Sequence, residues 1–165
     1  MDGCLKTSLV KVWILILWIC VFGLPVQAEE SNTAAILKAL ILEEQNMYAR
    51  RDIRSLKTLF TPNAVIQWEY ASCLKCVERR SPETYLNFFK QSWDALGPDR
   101  SFYTAGNINI KVISGGRAIV KDTAIETVKF PGKILHIQFK KTRLMVYENG
   151  KYKIKVLKIM EKHLK

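Results

Sequence analysis

The chain has 165 residues, with 26 Lys or Arg against 15 Asp or Glu and a formal net charge of +11. Its 48% apolar and 25% charged residues exclude a disordered or fibrous polymer, and the length suits one compact domain with a real core rather than two. No internal repeat, low-complexity tract or Asn-x-Ser/Thr sequon interrupts it.

Residues 1–28 read as a secretory signal peptide. Lys6 and Lys11 give a positive start, an apolar run extends from Val12 to Val26, and Val26 and Ala28 stand at the positions that cleavage before Glu29 requires. The run is shorter than the roughly 18 to 20 residues of a spanning helix and contains Gly23 and Pro25, so no stable membrane span is expected after cleavage. Lipidation at Cys20 is disfavoured by the bulky Leu17, Trp18 and Ile19 before it. The expected location is secreted or periplasmic. Loss of Lys6, Lys11 and Asp2 takes the net charge from +11 to +10, and residues 131–165 hold ten Lys or Arg against Glu148 and Glu161. A solvated, lysine-rich strand face accounts for such an excess more simply than an anionic partner does.

A first helix is predicted from about Thr33 to Arg51, capped by Ser31 or Asn32, with Ile36, Leu37, Leu40, Ile41, Met47 and Tyr48 on one stripe and Glu44 at its centre. Asp52 can cap a short second helix carrying Ile53, Leu56, Leu59 and Phe60, which the Thr61-Pro62 pair ends. A strand follows over Ala64–Tyr70. Removal of Cys4 and Cys20 leaves Cys73 and Cys76, whose spacing in an exported protein suggests a local disulfide closing a loop. The surroundings do not suit a thioredoxin-like site, and His136 and His163 lie too far away to complete a zinc set, so neither a metal nor a cofactor is expected. Ser81-Pro82-Glu83 starts a third helix that buries Tyr85, Leu86, Phe89, Trp93 and Leu96 and stops at Gly97-Pro98.

From Ser101 onward the pattern becomes strands joined by turns at Gly115-Gly116, Pro131-Gly132 and Asn149-Gly150. Two-residue turns at the last two set Val128 opposite Leu135, Glu126 opposite Ile137, Ala124 opposite Phe139, Asp122 opposite Lys141, Tyr147 opposite Tyr152, Met145 opposite Ile154 and Arg143 opposite Val156. At the first, a three-residue loop over Ser114–Gly116 is preferred because it turns Ile108, Ile110 and Val112 inward. The inward face then carries Asp122, Glu126, Lys141, Arg143 and Lys158, facing Glu44 from the helix. Buried charges must be paired. One reading pairs Asp122 with Lys141 or Arg143 and leaves Glu44 and Glu126 near water. The other makes Glu44 and Glu126 an acid and a base, with Asp122 as a further candidate, in a cavity walled by Trp68, Tyr48 and Tyr152, with Arg143 as a further ligand contact. His136 falls on the outward face. That face mixes Ile119, Ile125, Leu144, Val146, Leu157 and Ile159 with many lysines. Nucleic acid is not an expected partner, since no recognition helix or aromatic stacking set accompanies the basic strands.

The stretch "YARRDIRSLKTLFTPNAVIQW", residues 48–68, resembles the opening of the SnoaL-like and nuclear-transport-factor-like superfamily, and the resemblance extends over about residues 33 to 160. It implies an α+β fold with three N-terminal helices packed on a curved antiparallel sheet around a cone-shaped cavity. It does not imply one chemistry, because the superfamily holds isomerases, cyclases, dehydratases and non-catalytic binding domains. The catalytic tyrosine and two aspartates of the ketosteroid-isomerase branch map to Glu44, Trp68 and about Arg143, and none matches. The resemblance also implies dimerisation through the outward sheet face. The resulting expectation is an exported, non-catalytic domain with a cavity for a small apolar ligand. The alternatives are an isomerase, cyclase or dehydratase-type enzyme with Glu44 or Glu126 as general base, and an interaction module acting through its basic sheet face.

Overall fold

A computed structural model describes residues 29–96 and 101–164. The proposed signal peptide and the Gly97-Pro98 helix stop lie outside the described residues. The chain divides into two units after Ile36. In the first, residues 29–36 are helical and mostly exposed, and Ile36 is half-exposed rather than part of a buried stripe. The remaining elements belong to the second unit, which begins at Leu37.

Helix α1 covers residues 29–49, so Ser31 and Asn32 lie inside it and do not cap it. Its end is set by Arg51, which adopts a left-handed φ of 59°. This lets Asp52 N–H donate to Met47 O and Arg51 N–H to Tyr48 O, the pair of bonds that closes a helix when its last carbonyls would otherwise go unmet. The Asp52 side chain then accepts from Ser55 N–H and starts α2 (Ile53–Thr58), as the sequence predicts. Thr61-Pro62 does not separate α2 from the next strand. Strand β1 runs Phe60–Tyr70 with Pro62 inside it, at a place where its register to β6 is interrupted.

The region expected to be a cysteine loop is a strand, β2 (Cys73–Arg80), paired antiparallel with β1. Tyr70 pairs with Cys73 while Glu69 pairs with Val77, so β2 carries three extra residues there. The Cys73–Cys76 disulfide closes that bulge, with Cα atoms 5.2 Å apart. Helix α3 (Pro82–Leu96) starts as expected, with Thr84 N–H donating to Ser81 Oγ, and buries Tyr85, Leu86, Phe89 and Trp93.

Strands β3 (Ser101–Ile113), β4 (Arg117–Phe130), β5 (Lys133–Glu148) and β6 (Lys151–Leu164) form the meander. With β1 and β2 they make a six-stranded sheet in the order β2-β1-β6-β5-β4-β3, and β1 runs parallel to β6. The β3–β4 loop is the three-residue one, since Ile113 pairs with Arg117. The β4–β5 pairings match the sequence reading throughout. Strand β3 is interrupted between Ala105 and Ile108, where Gly106 comes so close to Thr123 that a Cβ would stand 2.7 Å from its carbonyl oxygen.

The β5–β6 register follows the prediction only near the turn. Tyr147 pairs with Tyr152 and Met145 with Ile154, but Leu144 pairs with Val156, which leaves Lys155 as an extra residue. Past this bulge the two faces exchange. Arg143 faces Leu157 rather than Val156, so Leu157 and Ile159 are buried and Lys158 is exposed, the reverse of the two-residue extrapolation. The core joins Leu37, Ile41 and Tyr48 of α1 to α3 and to the inward residues of β1, β4, β5 and β6.

Candidate functional site

The inward sheet face has two different ends. At one, side chains fill the space between α1 and the sheet. Asp122 lies opposite Lys141 in the ladder, yet its carboxylate pairs with the guanidinium of Arg143, one step further along β5. Glu44 descends from α1 onto the same guanidinium, with Arg143 Nη2 2.9 Å from its Oε1 and Arg143 Nε 2.9 Å from its Oε2. Lys141 Nζ stands 3.9 Å from Glu44 Oε1 and 4.5 Å from the centre of the Tyr48 ring. Gln45 Nε2 donates to Asp122 at 3.4 Å. Glu44 is 1% exposed and Arg143 0%, which corrects the expectation that water reaches Glu44.

Two carboxylates therefore meet two cations inside the protein. Burial works against charging Arg143, but Glu44 and Asp122 outweigh it and hold its pKa above the ordinary value. For Lys141 burial prevails over the pull of Glu44, and its pKa falls to about 8. Beside them the Tyr48 and Tyr85 hydroxyls share a hydrogen bond of 2.5 Å, and burial raises the Tyr85 pKa despite it. Glu44 is enclosed in this cluster, 1% exposed and with both carboxylate oxygens on Arg143.

At the other end a pocket of about 180 Å3 remains between α3 and the sheet. Trp68 of β1, Phe88, Phe89 and Trp93 of α3, and Ile137 and Phe139 of β5 form its wall. The Trp68 ring is the hub, with centroid distances of 5.6 Å to Phe88, 5.9 Å to Phe89 and 5.9 Å to Phe139. Glu126 lines the pocket from β4 and Glu161 from β6. Trp68 Nε1 donates to Glu161 Oε2 at 2.9 Å, and His163 Nε2 lies 2.9 Å from Glu161 Oε1.

Of the predicted ligand contacts, Trp68 reaches this pocket. Tyr48 is packed between Phe89, Trp93 and Lys141, Arg143 is locked in the ion cluster, and Tyr152 meets the Tyr147 ring edge to face beside the β5–β6 turn. Of the predicted acids, Glu126 reaches it while Glu44 and Asp122 do not. His136 is on the outward face, as expected, with Nδ1 3.0 Å from Thr127 Oγ1. Glu161 was not predicted, because its inward orientation depends on the bulge at Lys155. Phe88 was overlooked because it lies outside the α3 core stripe and is 40% exposed. The outward face holds an open hollow of about 450 Å3, around the break in β3, lined in part by Asn107, Asn109, Lys121, Lys140 and Lys158.

No family model and no curated protein matches the sequence. Solved structures do. A candidate scytalone dehydratase from Novosphingobium aromaticivorans is similar over 82% of this chain and 88% of its own, with a TM-score of 0.67 and 10% identity. An NTF2-like protein with a cystatin-like fold from the same organism has a TM-score of 0.63 at 11% identity, covering 83% and 86% of the two chains. The protein LinA has a TM-score of 0.64 at 11% identity, covering 82% and 90%. The chain thus has the α+β fold of the SnoaL-like and nuclear-transport-factor-like proteins. At these identities the likeness concerns the fold alone.

Proposed function

We propose that this chain is an exported, non-catalytic domain that binds a small, largely apolar ligand. Three helices on one face of the sheet would enclose a cone whose narrow end is plugged by the Glu44–Arg143–Asp122–Lys141 cluster, and the ligand would enter the open end. The observation that carries this reading is the division of labour along the inward face. Glu44 and Asp122 are consumed by cations at the filled end, and the space at the other end is walled by aromatic rings. Pockets of this composition bind by apolar contact and use a few polar groups for orientation. A volume near 180 Å3 admits a body of about one aromatic ring, since a 150 Å3 apolar cavity takes up benzene.

The similar structures include a candidate dehydratase and a dioxygenase subunit, so the fold is compatible with small-molecule chemistry as well as with binding. In the enzyme alternative the general base would be Glu126, the one predicted acid that lines the pocket, beside Glu161. The test is ligand-observed NMR with benzyl alcohol as the probe. Saturation transfer is expected with the unaltered protein. It should vanish in Leu135→Trp, which places an indole in the pocket from a half-buried position and leaves the core intact. Binding that survives Leu135→Trp, or no binding by the unaltered protein, would reject the reading. Conversion of the probe rather than binding alone would favour the enzyme.

A further inference from the structure

We infer that the outward hollow beside the break in β3 is a second binding site, for a small oxyanion carrying two or more phosphate or sulfate groups. It lies on the opposite face of the sheet from the aromatic pocket, so the inference stands independently of the ligand reading above. The hollow, about 450 Å3, opens where β3 loses its register to β4 and Gly106 passes too close to Thr123 for any side chain. One ladder row, Asn109, Lys121, Thr142 and Lys158, crosses it from β3 to β6. Thr142 is the centre of the positive charge. Lys121 and Lys158 pair with it from the strands on either side, and Lys140 precedes it by two residues on the same face. Strand spacing of about 4.8 Å and a rise of about 3.3 Å per residue put all three lysine Cα atoms within about 7 Å of that of Thr142. Lys158 joins the set because the bulge at Lys155 turns it outward.

The charge of this hollow is only partly offset by the protein itself. Lys158 Nζ lies 2.8 Å from Glu69 Oε1, which also accepts from Gln67, so one of the three lysines is neutralised at the rim. Among the described residues Lys121 and Lys140 form no ion pair, and two positive charges remain. Asp122 and Lys141 reach the hollow through their backbone. Their side chains lie on the other face, the Asp122 carboxylate fully buried on Arg143 and Lys141 beside Glu44. A concave wall with charge of one sign focuses the field on whatever enters it, which separates these lysines from those spread along the exposed strand ends. The Thr142 hydroxyl and the Asn107 and Asn109 amides add neutral donors at the same opening. Lysine meets phosphate or sulfate as a point charge, so the two groups suit it alike. An anion with two or more such groups can meet Lys121 and Lys158 at once, although their strands stand about 10 Å apart.

The experiment is isothermal titration calorimetry at pH 7.5 and 0.1 M salt with tripolyphosphate, a disaccharide bearing three sulfates, and orthophosphate. At least one of the first two is expected to bind about tenfold or more tightly than orthophosphate, and the tighter one identifies whether phosphate or sulfate is preferred. Lys121→Gln combined with Lys140→Gln should lower that affinity about tenfold or more. Lys133→Gln combined with Lys151→Gln removes the same charge at exposed strand starts outside the hollow, and should lower it less than about twofold. Thr142→Glu sets a carboxylate among the lysines and should abolish binding although it changes the net charge by one. Far-UV circular dichroism checks that each variant is folded. Equal losses in the two double variants would reduce the binding to net charge and overturn the site. Binding that survives Thr142→Glu, or no binding of either polyanion, would overturn it as well, and each of these results leaves the aromatic pocket as it stands.

Discussion

Lys141 is the residue whose surroundings fit it least. Burial lowers its pKa from 10.5 to about 8, with Glu44 only partly compensating. A lysine that binds its proton less well in the folded state makes the unfolded state the richer in protons between pH 8 and 10.5. Stability therefore rises with pH across that window and is lost again as pH falls through 8. The full shift corresponds to at most about 3 kcal/mol. Urea unfolding from pH 7.5 to 10.5 should show this rise, and Lys141→Met should flatten it. An unchanged slope in Lys141→Met would mean that the lysine is not the titrating group. Arg143→Met is the contrasting substitution. It leaves Glu44 and Asp122 facing each other with less than one compensating charge apiece, a loss of about 3 to 5 kcal/mol. Sequence reasoning placed all four of these residues on the inward side and paired Asp122 with Lys141 or Arg143, but it left Glu44 near water rather than on Arg143. It could not tell that Asp122 bonds diagonally to Arg143, because ladder register places Cα atoms and not the ends of long side chains.

Elements were legible where the chain itself imposes their limits. Asp52 caps α2 and Ser81-Pro82 starts α3 because capping bonds form within a few residues and need no distant partner. Strand β2 was missed for the opposite reason. Cys73–Arg80 has no alternating pattern and becomes a strand by pairing with β1. The disulfide closes only the three-residue bulge of that strand, so its removal should cost little. Closure of so short a loop is worth about 2 kcal/mol in the chain-entropy account. The double variant Cys73→Ser, Cys76→Ser is expected to lose no more than that in urea unfolding and to stay folded. We further propose that the exported protein begins at Glu29 and has this bond formed, so its intact mass should lack two hydrogens relative to the reduced chain. Two free thiols in that material would reject the proposal.

For the molecule as a whole, the bulge at Lys155 changes the surface available for self-association. Leu157 and Ile159 are withdrawn into the core, and Val156 takes an outward place. The outward ladder then reads Ile119, Leu144, Val156 and Val65 across β4, β5, β6 and β1, an apolar row bordered by Lys121, Thr142 and Lys158. We propose that a homodimer forms through this row. A contiguous apolar strip of a few hundred Å2 contributes several kcal/mol at about 25 cal/mol per Å2, whereas exposed lysines that splay to the rim cost far less apiece. Sedimentation at micromolar concentration should show a dimer that weakens at low salt, where lysine repulsion is less screened. Leu144→Lys should give a folded monomer, and an unaltered protein that is monomeric at every salt concentration would end the proposal. The sequence by itself determined the starts of α2 and α3, the turn positions, the β4–β5 register and the inward placement of Glu44, Asp122, Glu126, Lys141 and Arg143. All of these follow from contacts between near neighbours or from strict two-residue alternation. Only the tertiary structure decided the parallel pairing of β1 with β6, the strand at Cys73–Arg80, and the one-residue slip at Lys155 that sends Glu161 into the pocket and Lys158 out of it. Those features arise where segments far apart in the chain meet, and a single bulged residue reverses every side chain beyond it without leaving a mark in the local pattern.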